Sequence, residues 1–172
     1  MPKTLADART RLTILTTAPA DTTLQSITLT ELTAGIDASC KILKSDYRLS
    51  AAASDTVDDT ELCSEGNAVT YGASNYEGTV SPFWYLDETG KSDVTEDVVY
   101  QALKEKGTEL WFVEREGPRY DQAWAAGDVI EVYRVITDNP QKPSERAGYI
   151  KRVVPLGVQT AELNATVGAA TP

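Results

Sequence analysis

The side chains best equipped for chemistry are the carboxylates Asp55, Asp58, Asp59, Glu61 and Glu65, which crowd into one short stretch. Carboxylates so placed hold calcium when they recur in the ligand order of an EF-hand around a central glycine. That order and that glycine are missing, so the stretch reads as a solvated acidic loop. A carboxylate pair would also suit acid–base cleavage of a glycoside, but no spacing singles one out. Tyr71, Tyr76, Phe83, Trp84 and Tyr85 would stack on a sugar or a base, yet aromatics at strand spacing more often belong to a core or a subunit contact. The chain contains no histidine. That removes Ser-His-Asp and Cys-His nucleophilic sites, the HExxH zinc helix and every His-ligated metal centre together. No lysine-containing phosphate loop or dinucleotide glycine fingerprint occurs either. Cys40 and Cys63 are the only thiols. Their spacing fits no metal site, and they read as reduced fillers of apolar space, with a bridge between them left open. Neither a cofactor nor an enzymatic function is expected.

Composition bounds the scaffold that carries these residues. With 172 residues, 41% of them hydrophobic and 24% charged, the chain is long enough for one sizeable core and too apolar for wholesale disorder. One domain over 1–172 is expected, with an N-terminal segment at about 1–9 and a C-terminal tail at about 168–172. Sixteen basic residues face twenty-six acidic ones, a net charge of −10. That balance argues against a protein that grips phosphates or lies on an anionic membrane. The N-terminal stretch holds Lys3, Arg9 and Arg11 but no apolar run of signal-peptide length, and no segment has the length to span a bilayer. Production without secretion and without membrane insertion is expected.

The pattern along the chain is that of a β protein with one clear helix. Asp128 to Asp138, DVIEVYRVITD, alternates with both faces largely apolar: Val129, Tyr133 and Val135 point one way, Ile130, Val132 and Ile136 the other. A strand in an antiparallel sheet normally wets one face, so this one needs cover on both, and another copy of the chain would supply it. Thr108 to Arg115 is a second two-faced strand. Trp111, Phe112, Val132, Tyr133 and Val135 are therefore the candidates for core or subunit contact.

Thr10 to Thr16 is a first strand, and Thr28-Leu-Thr-Glu31 is a capping box that opens a brief helix ending at Gly35. Ile36 to Leu43 alternates as a strand with one polar face. Ser50 to Gly66 loses periodicity and is longer than compact domains tolerate without a purpose, which marks a reaching loop. Ala68 to Leu86 is a long strand-like stretch, with Gly72 and Gly78 where bends, bulges or close backbone approach would fall. Asp93-Val-Thr-Glu96 starts the clear helix, whose stripe is Val98, Val99, Ala102 and Leu103 and which Gly107 ends. Tyr149 to Val154 and Val158 to Val167 close the sheet on either side of a turn at Pro155 to Gly157. The expected fold class is mainly β (α+β), a β-sandwich or partly rolled sheet with one flanking α-helix.

The running sequence is also familiar. IDASCKILKSDYRLS (36–50), SEGNAVTYGASNYEGTVSPF (64–83), TEDVVYQALKEKGTELWFVER (95–115), and AAGDVIEVYRVITDNPQKP with GYIKRVVPLGVQTAELNATV resemble the major tail proteins of long-tailed, non-contractile phages infecting actinobacteria. The likeness covers nearly the whole chain, in order, and lies in running sequence rather than in a short motif. It implies a tail tube subunit with a β-sandwich-like fold and a flanking helix. Such subunits form hexameric rings stacked around a DNA conduit, and their inner sheets join into a continuous β-barrel lining the lumen. The implied partners are further copies of the chain, a tape measure protein, tail terminator and tail tip proteins, with transient passage of double-stranded DNA. The implied location is the virion tail, after assembly in the host cytoplasm.

Under this resemblance the long connection reaches toward an adjacent ring, which makes Asp55, Asp58, Asp59, Glu61 and Glu65 inter-ring candidates. Polar-face residues of the early strands, Asp37, Ser39, Lys41, Thr70, Glu77 and Thr79, become lumen candidates. Acidity then acquires a use: duplex DNA carries about one negative charge per 1.7 Å, so a basic wall would hold it and an acidic wall would let it slide. The alternatives are another virion part, such as a tail terminator, connector or capsid decoration protein, and a monomeric carbohydrate-binding β module.

Overall fold

Both apolar faces of the Asp128 to Asp138 stretch find cover inside a single copy. The computed structural model describes residues 5–58, 60–63, 65–66 and 68–169. In chain order its elements are β1 (Thr10–Leu15), β2 (Ser26–Thr28), α1 (Leu29–Ala34), β3 (Ile36–Asp37), β4 (Arg48–Ala52), β5 (Thr56–Asp58), β6 (Val69–Tyr71), β7 (Asn75–Val80), α2 (Val98–Leu103), β8 (Glu109–Glu116), β9 (Val129–Thr137) and β10 (Val154–Gly168). Seven strands run in the order β3-β1-β8-β9-β10-β7-β4, β2 adds to the far half of β10, and β5 pairs with β6 in a ribbon of its own. The pairings are antiparallel except that of β2 with β10.

Alternation along β8 and β9 sorts their side chains into two cores. Leu110, Phe112, Tyr133 and Val135 pack with Leu12 and Ile14 of β1, Leu49 of β4, Val80 of β7, and Val99 and Leu103 of α2. Trp111, Val113, Ile130 and Val132 pack on the opposite face with Leu15, Leu24, Ile27, Leu32 and Val167. The β4–β7 wing and α2 thus roof one face, and β2 with α1 roofs the other. This corrects the expectation that another copy must supply the cover. Trp111, Phe112, Val132, Tyr133 and Val135 are all buried within one chain, while Val129 and Ile136 at the strand ends stay exposed. The architecture is mainly β and sandwich-like, with two short α-helices of six residues each among the described residues.

β10 joins the two wings. Val154 and Pro155 pair with β7, and Leu156 onward pairs with β9. The expected turn at Pro155 to Gly157 is absent, and one strand runs straight through. Pro155 has no N–H to give, but it lies where β10 exchanges one neighbour for another, and its carbonyl accepts from Asp138 N at 3.0 Å. Register shifts at Val158/Thr160 and Glu162/Ala165 let Ala161 and Leu163 face the first core while Ala165 and Val167 reach the second. A Cβ on Gly78 of β7 would stand 2.8 Å from Leu156 Cβ and 3.0 Å from the Leu156 carbonyl oxygen, so glycine at this position lets the wing close onto β10.

The capping box forms as the sequence indicates. Thr28 Oγ1 accepts from Glu31 N at 3.3 Å and a Glu31 carboxylate oxygen accepts from Thr28 N at 2.8 Å, before α1 ends at Gly35. Burial alone would raise the Glu31 carboxyl, but hydrogen bonds from Ala20 and Thr28 outweigh it and hold the group below its usual range. Thr28→Ala is expected to lower the unfolding free energy by about 1 kcal/mol, and Thr28→Ser to lower it by less. Urea titration of the three chains checks this.

Elsewhere local polar bonds override periodicity. The strand expected over Ile36 to Leu43 stops at Asp37, because Asp37 Oδ1 accepts from Ser39 N at 3.0 Å and Ser39 Oγ accepts from Leu12 N at 3.0 Å, which turns the chain away from β1. The stretch from Ser50 to Gly66 holds part of β4 and all of β5. The long strand expected over Ala68 to Leu86 is broken into β6, β7 and isolated bridges at Pro82, Phe83 and Leu86. Asp93 caps only a turn, accepting from Thr95 N and Glu96 N at 2.9 and 3.2 Å, and α2 begins later, after Asp97. Cys40 and Cys63 are free and exposed, not fillers of apolar space. Gly168, the first residue of the expected tail, lies in β10 opposite Thr28, and 170–172 fall outside the described residues.

Candidate functional site

The β5–β6 ribbon is the most conspicuous surface element. Every described residue from Asp55 to Asn75 is exposed. Its base is held by Asp55 N to Ala73 O at 2.9 Å, Gly72 N to Asp55 O at 2.7 Å, and Asn75 Nδ2 to Ala53 O at 3.0 Å. At the start of its turn Asp58 Oδ1 accepts from the Thr60 hydroxyl at 2.7 Å and from Thr60 N at 3.1 Å. These two bonds, the hydroxyl's first, keep the Asp58 carboxyl below its usual range. Val57, Leu62, Val69 and Tyr71 project into solvent. A two-stranded ribbon that buries so little has no core of its own, and apolar side chains on such an element mark a surface built for contact. Asp55, Asp58, Glu61 and Glu65 share this element, and Asp59 lies outside the described residues. Among the described residues no group of three or more His, Cys, Asp and Glu side chains is placed to hold a metal.

The remaining polar candidates fall into three separate places. Asp37 lies 3.7 Å from Arg11 Nη2, and Lys41 Nζ donates to Glu96 through its backbone oxygen at 2.7 Å and its carboxylate at 2.8 Å. These residues, with Ser39, fasten the β3 edge. Glu77 and Thr79 do come together, on the face of β7 that points away from the first core, since Tyr76 and Val80 point toward it. Arg48, opposite Thr79 across the ladder, forms an ion pair with Glu77. Thr70 sits apart on the ribbon, opposite Val57.

Besides the short outer strands β2 and β3, the open strand edges of the main sheet lie on β10 and β4 among the described residues. Between its short pairings with β7 at Val154 and Pro155 and with β2 from Thr166, β10 has no strand along that side among the described residues. The outer edge of β4 is likewise unpaired among them. Rows of unsatisfied backbone donors and acceptors are templates for a strand from another chain.

Two buried charge centres escape sequence reading. Glu114 of β8 and Glu131 of β9 stand directly opposite each other, with Glu114 only 9% exposed. The Tyr47 hydroxyl donates to Glu114 Oε2, and the Tyr133 hydroxyl donates to Glu131 Oε2. Burial pushes the Glu114 carboxyl up to about 7, and burial followed by the Glu114 charge raises the Tyr47 hydroxyl far above its usual range. On the opposite face Arg115 is 2% exposed. The one signal for both was parity: in WFVER the acid and the base fall on positions that continue the two apolar rows. Both read as parts of the scaffold, although Tyr47 also lines a pocket with Ser39 and Cys40.

A β scaffold with a protruding ribbon and open strand edges offers surfaces for association, and comparison with known families says of which kind. A model described as phage tail tube protein matches residues 1–171. The chain belongs to the phage tail tube protein family. Membership makes it a structural component of the virion tail, one that self-assembles and meets other tail proteins, and it points to a non-enzymatic role. A search of curated proteins returns no match. Among the described residues no helix is long and apolar enough to cross a membrane, which says nothing of β-barrels.

Proposed function

We propose that this chain is the tail tube subunit of a long-tailed, non-contractile phage with an actinobacterial host, and that it forms homohexameric rings stacked into a conduit for double-stranded DNA. The family match along residues 1–171 carries this reading. The open edges of β10 and β4 support ring closure, because strands of neighbouring copies would satisfy them and carry the sheets on into a barrel. The net charge of −10 suits a wall that passes DNA without holding it, and six copies would bring about −60 to each ring. Asp37, Ser39, Lys41, Thr70, Glu77 and Thr79 are the lumen candidates, and Glu77 and Thr79 have the stronger claim because their face turns away from the core. The β5–β6 ribbon, with Asp55, Asp58, Glu61 and Glu65, spans to the next ring. Assembly runs in the host cytoplasm around a tape measure protein, between tail tip and terminator, and the genome leaves through the bore.

Negative-stain microscopy of the full chain, alone and with tape measure and tail tip proteins, tests the reading. Long hollow filaments with a regular ring repeat are expected, and monodisperse monomers under every condition would overturn it. In the same system Asp37→Lys and Glu77→Lys are expected to slow ejection or disturb assembly. Normal tubes and unimpaired ejection in both would remove these two from the lumen.

A further inference from the structure

Charge is unevenly divided along this acidic chain. No lysine or arginine occurs between Arg48 and Lys91, a span that includes the whole β5–β6 ribbon and its carboxylates. By contrast, the connection from β9 to β10 holds Lys142, Arg146, Lys151 and Arg152 against two acids, Asp138 and Glu145. Those four cations line a cleft together with Glu145, Tyr149 and Ile150, and leave it net positive. Tyr149 and Ile150 in turn close an apolar groove against Phe83, Trp84 and Leu86. Tyr149 is 83% exposed and meets Phe83 edge to face at 5.9 Å. The Arg152 guanidinium sits 4.8 Å over the Trp84 ring. Trp84 N donates to Ile150 O at 2.9 Å, so the two walls of the groove are tied by backbone and preformed.

The molecule therefore shows an apolar protrusion edged with acid and an apolar recess edged with base. Val57, Leu62, Val69 and Tyr71 on the ribbon match the aromatic floor in kind, and Asp58, Glu61 and Glu65 match the cationic rim in sign. We propose that the β5–β6 ribbon of one copy docks in the Phe83–Tyr149 groove of a second copy, with Lys142 and Arg146 facing the ribbon's carboxylates. Each copy carries one protrusion and one recess, so the contact is head-to-tail and propagates without closing on a pair. The inference deepens the tube reading, on which it rests, by naming the surface that receives the ribbon.

Cys63 lies in the ribbon turn, free and exposed, and offers a direct test. In the full chain, Ile150→Cys is combined with Cys40→Ser and oxidised with diamide under assembly conditions, and tubes are scored in parallel by microscopy. Tyr149→Cys serves as a second placement should Ile150→Cys disturb folding. A reducible ladder of dimers and higher multimers is expected, absent from Cys40→Ser alone. Asp58→Lys with Glu61→Lys should weaken the ladder about tenfold, and adding Lys142→Glu with Arg146→Glu should restore it. Tubes without a ladder would overturn the docking contact and leave the tube reading standing, whereas a ladder without tubes would do the reverse. A bridge confined to single copies, or a ladder indifferent to the charge reversals, would also overturn the contact.

Discussion

Asp128→Ala is expected to lower the unfolding free energy by about 3 kcal/mol, because it strands a guanidinium that the fold has already taken out of water. Arg115 enters the sheet interior from β8, and Asp128 Oδ2 meets its Nη1 at 2.6 Å. The same guanidinium donates to the carbonyls of Ala123, Arg119 and Gln122 at 3.1, 3.2 and 2.9 Å, and its cation stacks 4.9 Å from the Trp124 ring. One buried fork thus gathers the whole connection from β8 to β9. Asp128 also accepts from Ala125 N at 3.0 Å, which fixes the turn into β9. Removing the carboxylate leaves the cation with neutral carbonyls alone. Asp128→Asn, which keeps an acceptor, should lose less, and joining Arg115→Met to Asp128→Ala should recover part of the loss. Urea unfolding followed by tryptophan fluorescence measures all three. A loss below about 1 kcal/mol for Asp128→Ala, the value of an exposed pair, would show that the bridge is dispensable.

Glu114→Gln is expected to stabilise the protein at pH 8 and leave it nearly unchanged at pH 4. The folded carboxyl keeps its proton up to about 7, whereas its ordinary value is 4.5. The unfolded chain therefore releases this proton first as pH rises. Stability falls between about pH 4.5 and 7 and then levels off, with a full span of about 3 kcal/mol for this group. Glutamine stays neutral throughout and still accepts from the Tyr47 hydroxyl, so the variant should lack this component of the pH dependence. All other carboxylates are common to both chains, and the difference between the two curves isolates Glu114 from the general charge repulsion of an acidic protein. Denaturant titrations at pH 4 and pH 8 give that difference, and parallel curves would show that the carboxyl ionises freely in the fold.

The two charge centres behind these predictions mark where sequence reading ends. Alternation in ELWFVERE and VIEVYRVIT was enough to place β8 and β9 and to sort Phe112 from Trp111 and Tyr133 from Val132, because a strand's period of two fixes faces without reference to neighbours. The capping box of Thr28 and Glu31 was equally legible, being closed within four consecutive residues. What covered the two faces was not, since Leu49 and Val80 meet Phe112 and Tyr133 only after β10 has turned the β4–β7 wing back over the sheet. Pro155 and Gly157 carried turn chemistry by composition, but pairing with β7 and β9 held that stretch straight. The β3 stretch failed for the opposite reason, as side-chain bonds from Asp37 and Ser39 displaced a ladder that periodicity alone favoured. Of the candidate site, the acidic span from Asp55 to Glu65 stood out at once. The recess around Tyr149 required two segments far apart in sequence to meet.

Because each copy roofs both sides of its own sheet, joining has no share in completing the fold. Unjoined copies are then expected to keep their shape, and a joint between them to open or close without melting either part. What holds neighbours together must come from exposed backbone and from side chains that project from ribbon and loop, not from a core shared in common.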